Sequence, residues 1–217
     1  MHVQTHREYW NRHAKNYDRS MSLFGRPYRP MLELTAEAVR GASRVLEVAA
    51  GTGLVTQVLA REAQHVIATD YAPEMVAALK ARAATLGASN VTCEQADLYA
   101  LRYDPSSFDV VVAANVLHLV PDLPGAVTAL ARVLQPGGTL VVPTFCHAQT
   151  ALSSVVSRLL ALTRFPAARR FTFRSLEASI EALGLTIRRS RLLAGVIPIG
   201  YVEATFNVVP GRDQRPH

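Results

Sequence analysis

Two hydrophobic periods take turns along the middle of this chain. Short runs rich in β-branched residues, VLEV from Val45, HVIAT from His65, VTCEQ from Val91, FDVVV from Phe108 and TLVVPTF from Thr139, read as strands. Between them, VTQVLA, PEMVAALKARAATLG and GAVTALARVL repeat apolar residues at helical spacing. Pro73 suits a first helical turn and Gly87 a helix stop, while Gln135-Pro136-Gly137-Gly138 reads as a turn into the fifth strand. Strands alternating with helices predict a parallel α/β sheet. Upstream, Thr5 to Lys15 reads as a short helix carrying Tyr9 and Trp10, and MLELTAEAVR as a helix after the rigid Arg26-Pro27-Tyr28-Arg29-Pro30 connection. Downstream, FTFRSLEASIEALGL reads as a helix capped by Ser175 and ended by Gly184. LTIRRSRLLAG and IGYVEATFNVV then suggest an antiparallel pair.

The stretch VLEVAAGTGLVT, Val45 to Thr56, joins the first strand to the next helix through a tight turn. Gly51 and Gly53 have no side chain to hold a ligand off the main chain, and the helix start offers unpaired N–H groups to an anionic or polar group. Later strands end in polar residues: Asp70 after the second, Asp97 after the third, Asn115 and His118 after the fourth. In an open parallel sheet that edge binds ligands, and an acid closing the second strand is placed for the hydroxyls of a ribose. A nicotinamide or flavin fingerprint fits poorly. It needs a third glycine three residues after the second, and the pattern fails at Thr56 or at Ala49 depending on where it starts.

The succession EVAAGTG, ATDYAPEMVAAL, EQADL, FDVVVAANVLHLVPD and RVLQPGGTLVV resembles the class I S-adenosylmethionine-dependent methyltransferases, in particular their small UbiE-like and methyltransferase domain 11 members. The likeness runs unbroken from about Arg44 to Pro143. It implies a Rossmann-like doubly wound sheet of seven strands in the order 3-2-1-4-5-7-6, strand 7 antiparallel, with helices on both faces. It also implies S-adenosyl-L-methionine as cofactor and S-adenosyl-L-homocysteine as product. By the same resemblance Glu47 meets the methionine amino end, Gly51 and Gly53 are the loop glycines, and Asp70 binds the ribose with Tyr71 beside the adenine. Asp97 accepts from the adenine amino group, Leu98 offers its N–H to the ring, and Asn115 begins the segment under the methionine and sulfonium. Met75 matches an apolar residue facing the cofactor, its other reading being a core methionine. Tyr17 matches a lid contact to the methionine carboxylate, its other reading an aromatic closing a hydrophobic edge. Ala49 stands where the family has its first glycine, a small intrusion that leaves the methionine tail less fixed.

Composition adds bounds. A chain of 217 residues, 49% apolar and 18% charged, has the makings of one domain. The expected parts are an N-terminal helical lid (1–40), a cofactor-binding core (41–145), a helical insertion over the acceptor (146–173) and a final helix with a strand pair (174–210). The N-terminus lacks the apolar block of a signal peptide and no run of eighteen apolar residues appears, so a cytoplasmic protein without a membrane span is expected. Cys93 and Cys146 lack the spacing of a zinc site, and no metal is expected; buried reduced thiols are the simple reading. The net charge of +6 sits in the flanks: residues 41–150 hold six Lys and Arg against nine Asp and Glu. Arginine-rich composition accounts for most of that surplus, and nucleic acid is not an expected partner: no Pro-Pro-Tyr type motif follows the fourth strand.

The acceptor is expected to be a small molecule, its methylated atom open among O, N, S and C. A sulfonium donor leaves as a neutral thioether, so alignment and exclusion of water carry the catalysis and no acid is required. His118 is either a general base for a hydroxyl or thiol acceptor or a packing residue. For residues 147–173, apolar positions 152, 155, 156, 159, 160 and 162 predict an amphipathic helix stopped before Pro166. It is an acceptor lid, a helix packed on the sheet, or, with Arg158, Arg164, Arg169 and Arg170, a contact to an anionic membrane suited to a phospholipid or quinone precursor. An inert binding module using the same fold is the remaining alternative.

Overall fold

The computed structural model describes residues 2–14, 18, 25–161 and 167–206. The β-branched runs become β1 (Arg44–Glu47), β2 (His65–Asp70), β3 (Val91–Gln95), β4 (Phe108–Val112) and β5 (Leu134–Val141). They lie parallel in the order β3-β2-β1-β4-β5. Pro143 has no N–H to donate, and the line of β5 breaks there before resuming as the two-residue β6 (Thr144–Phe145). Both pieces pair antiparallel with β8 (Ile199–Phe206), Val141 opposite Glu203 and Phe145 opposite Ile199. β7 (Leu185–Leu193) pairs antiparallel with the other side of β8. With β5 and β6 counted as one interrupted strand, this is the expected 3-2-1-4-5-7-6 sheet.

Alternation along the central strands gives the sheet two buried faces, as parallel strands require. On one, Val45, Val110, Val112 and Val141 pack with Met31 and Leu34 of α2 (Tyr28–Val39), Leu59 of α3 (Thr56–Glu62) and Leu79 of α4 (Pro73–Thr85). On the other, Leu46, Val111 and Leu140 pack with Leu130 of α5 (Leu123–Val133) and with Leu176 and Ile180 of α7 (Phe173–Ala182). Two further helices, α1 (His2–His13) and α6 (Ala151–Ala161), lie N-terminal to this core and between β6 and α7.

Three boundaries differ from the sequence reading. α2 begins at Tyr28 rather than after Pro30, because a proline in the first turn gives up an N–H that has no helical partner anyway. α7 is capped by Thr172, with Ser175 as the reciprocal partner: the Thr172 hydroxyl accepts from Ser175 N at 3.1 Å and Ser175 Oγ accepts from Thr172 N at 2.9 Å. β5 begins at Leu134, and its register against β4 shifts between Phe108 and Val110, which absorbs the Gln135–Gly138 turn into the strand. Of the two thiols, Cys146 is buried but Cys93 is only half-buried.

Candidate active site

The turn after β1 is shaped by three left-handed residues, Ala49 (φ 52°), Gly51 (φ 57°) and Gly53 (φ 88°). For Gly51 and Gly53 that conformation costs little, but a Cβ at Ala49 makes it strained by about 1–2 kcal/mol. Asp70, at the tip of β2, holds the turn: Oδ2 accepts from Gly51 N at 2.8 Å and Oδ1 from Ala72 N at 2.9 Å. Burial raises the Asp70 pKa above the usual carboxylate value, and these backbone N–H groups work against the rise.

Beside the turn opens a cavity of about 420 Å³, large enough for a cofactor-sized ligand. It lies at the carboxyl ends of β1 to β4, where β1 has β2 on one side and β4 on the other, the switch point of the sheet. Of the residues expected at a site, Ala49, Gly51, Asp70, Tyr71, Met75, Asp97, Leu98 and Asn115 all line it. Asp97 ends β3 in a tight turn, its Oδ1 accepting from Tyr99 N at 2.9 Å. Asn115 is again left-handed (φ 52°) and is tied to the broken strand by its N–H to the Pro143 carbonyl. Its Nδ2 donates to the Tyr28 hydroxyl at 3.1 Å, while its Oδ1 is buried without a hydrogen-bond partner among the described residues. The rest of the wall is largely apolar, with Val116, Leu119 and Val120 after β4 and, bonded to the same segment through Ala168 N to the His118 carbonyl at 2.9 Å, Ala167 and Ala168.

Three expected residues stand elsewhere. Gly53 does not face the cavity: a Cβ there would lie 2.7 Å from Leu79 Cδ1, so this glycine admits the close approach of α4 to the turn. Glu47 sits under the turn, fully buried, its Oε2 accepting from the Thr56 hydroxyl at 2.6 Å. Burial, with Asp70 adding repulsion against the help of Thr56, pushes its pKa up to about 8. His118 is buried behind the cavity wall, its ring 5.1 Å from that of His147 and 5.9 Å from Phe145. Burial, then the neighbouring His147, hold its pKa well below the ordinary value, and the ring is not among the groups that line the cavity. Tyr17 lies outside the described residues.

Trp10 and Tyr99 line the cavity without having been singled out as contacts. Tyr99 follows Asp97-Leu98 at the same strand tip, a proximity visible in the sequence. Trp10 arrives from α1, which packs through Trp10 and Ala14 on Ala72 and Met75, with Arg7 over the Tyr71 ring at 5.8 Å. Asp18 is bonded both to the Thr52 hydroxyl of the turn (2.5 Å) and to the guanidinium of Arg82 on α4. Among the described residues no three His, Cys, Asp or Glu side chains converge as metal ligands.

Comparison with known proteins agrees with this geometry. Residues 46–142 match the family described as methyltransferase domain. The ubiquinone biosynthesis O-methyltransferase of Xylella fastidiosa (strain 9a5c) is 37% identical over 102 residues, covering 47% of this chain and 42% of that protein. The protein of the same description from Xanthomonas euvesicatoria pv. vesicatoria is 29% identical over 170 residues, covering 72% and 71%. A methyltransferase structure from Aquifex aeolicus superposes with a TM-score of 0.70 at 19% identity, covering 91% of this chain and 98% of that one, a likeness of fold. The chain thus spans 42% of the length of the curated relatives it matches at 36–37% identity. Over residues 46–142 it is similar to methyltransferase domains. S-adenosylmethionine is the cofactor of the class I methyltransferases that it resembles.

Proposed function

We propose that the protein transfers a methyl group from S-adenosylmethionine to a small-molecule acceptor. The observation that carries this is the meeting, in one cavity, of the glycine turn, Asp70, Asp97 and Asn115 from four different strand ends. These residues suit the group. Asp70 and Asp97 offer carboxylate acceptors to ribose hydroxyls and an adenine amino group, Tyr71, Met75 and Leu98 flank the base, and the orphaned Oδ1 of Asn115 calls for a donor from the ligand. Glu47 acts through the turn rather than by direct contact.

When bound, S-adenosylmethionine supplies an activated methyl on a positively charged sulfur. The chain supplies placement: the turn and the strand tips fix the donor end, while Val116, Leu119, Val120, Ala167 and Ala168 keep water from the acceptor end. A neutral acceptor must shed a proton, and among the described residues none of the cavity-lining groups is a histidine, so acceptors that ionise readily or lose the proton to water suit this site best.

Calorimetry with S-adenosylhomocysteine tests the reading first, and a screen of small acceptors read out as released S-adenosylhomocysteine tests it second. Binding without transfer to any acceptor would leave an inert binding module. No binding would remove the proposal.

A further inference from the structure

α6 is oriented against its own hydrophobicity. Its buried side carries Ser153 and Ser157 beside Val156 and Leu160, whereas Leu152, Val155 and Leu159 are 59%, 51% and 60% exposed. Ser153 is spent at the helix start, where it and Thr150 bond reciprocally, Thr150 N to Ser153 Oγ at 2.9 Å and Ser153 N to Thr150 Oγ1 at 3.0 Å. At about 100° per residue the three exposed side chains fall within roughly 60° of one another, a narrow outward stripe. Arg158 flanks it on the side away from the core and is exposed.

The surroundings carry one sign of charge. Residues 146–174 contain five arginines and no Asp or Glu. The N-terminal approach to α6 is pinned beside the 171–173 segment, Ala148 N to the Phe171 carbonyl at 2.9 Å and Phe173 N to Gln149 Oε1 at 2.7 Å. That places the exposed Arg170 and Arg174 near one end of the stripe, with Arg158 toward the other. Six residues beyond the end of α6 the chain reaches the cavity. Ala167 and Ala168 line the cavity, and Arg169 clasps the carbonyls of Val120 and Pro121.

We propose that the outer face of α6 seats on an anionic lipid bilayer, with Leu152, Val155 and Leu159 entering the headgroup boundary and the arginines meeting the lipid phosphates. This rests on the methyltransferase reading, and it narrows the acceptor to an apolar molecule taken from the membrane surface. A second copy of the chain is a poorer occupant, since three side chains fall short of the roughly 800 Å² per partner of a stable interface.

The test is co-sedimentation with vesicles of phosphatidylglycerol and phosphatidylcholine in equal parts, against phosphatidylcholine alone, at 0.1 M and 0.5 M NaCl. The expected result is binding to the anionic vesicles at least tenfold stronger than to the neutral ones and weakened by salt. Leu152→Ser with Leu159→Ser, and separately Arg158→Glu with Arg170→Glu, should each reduce it at least fivefold. S-adenosylhomocysteine binding by the same variants, unchanged, shows that they are folded and that the cavity is intact. Absence of vesicle binding with intact S-adenosylhomocysteine binding overturns this inference and leaves the methyltransferase reading standing; the converse overturns the methyltransferase reading and the acceptor assignment with it, and leaves the bilayer contact. Equal binding to neutral vesicles, or a dimer in solution that the leucine variant abolishes, also overturns it.

Discussion

Ala49 shows how one methyl group is accommodated by the backbone at a cost. Its left-handed φ of 52° is what glycine adopts freely. Ala49→Gly is therefore expected to stabilise the protein by about 0.5–1 kcal/mol, a rise in melting temperature of roughly 2–3 °C for a chain of this size; an unchanged or lower melting temperature would show that the turn is not strained. Glu47 gives a pH signature. Its folded pKa of about 8 lies above the ordinary 4.5, so the stability it contributes is complete below pH 4.5 and is lost as pH rises toward 8. Chemical denaturation of the ligand-free protein should show that decline, at most about 1.4 kcal/mol per pH unit, and Glu47→Gln should flatten it. Asp70→Ala, by contrast, should weaken S-adenosylhomocysteine binding roughly 5- to 150-fold, or about 1–3 kcal/mol, with affinity measured by calorimetry. At His118 the buried position predicts that His118→Ala leaves the pH profile of turnover unshifted while lowering stability; a lost limb in that profile would restore the ring as a base. The strand-tip acids and Asn115 were legible in the sequence because strand ends follow from periodicity. The inward burial of Glu47 and His118 was not, since which way a side chain turns at a strand end depends on neighbours from distant segments such as Thr56, Phe145 and His147.

Elements were legible where one period dominated and blurred where two met. β2, β3 and α4 fall where alternation and Pro73 place them, while β5 runs through a Pro-Gly-Gly that reads locally as a turn, because pairing with β4 outweighs local preference. Among the contacts that hold α1 to the rest are the Trp10 and Ala14 packing on Ala72 and Met75, Arg7 over Tyr71, and Asn11 Oδ1 accepting from Glu74 N at 3.4 Å. Just beyond it, Asp18 ties the chain to the turn and to α4. Exchanging Asp18 for Ala is thus expected to expose α1 to limited proteolysis and speed the release of S-adenosylhomocysteine, and the swap Asp18→Arg with Arg82→Asp to recover part of both. Equal protease sensitivity in wild type and Asp18→Ala would show that the tie does not hold the helix.

For the whole molecule, the sheet order followed from the family resemblance, and the cavity at its switch point from the rule that open parallel sheets bind ligands at their carboxyl ends. Ligand linkage acts at this scale too. S-adenosylhomocysteine at a hundred times its dissociation constant should add about 2.7 kcal/mol, or roughly 5–10 °C in melting temperature, where a nicotinamide dinucleotide should add nothing measurable. Among the described residues no helix is long and apolar enough to cross a membrane.

Trp10 is the only indole in the chain, and it stands in the wall of the cavity on the N-terminal helix. Its ultraviolet emission is therefore a built-in optical gauge: ligand entry and movement of α1 should both change its colour and its quenching by iodide, with no label attached.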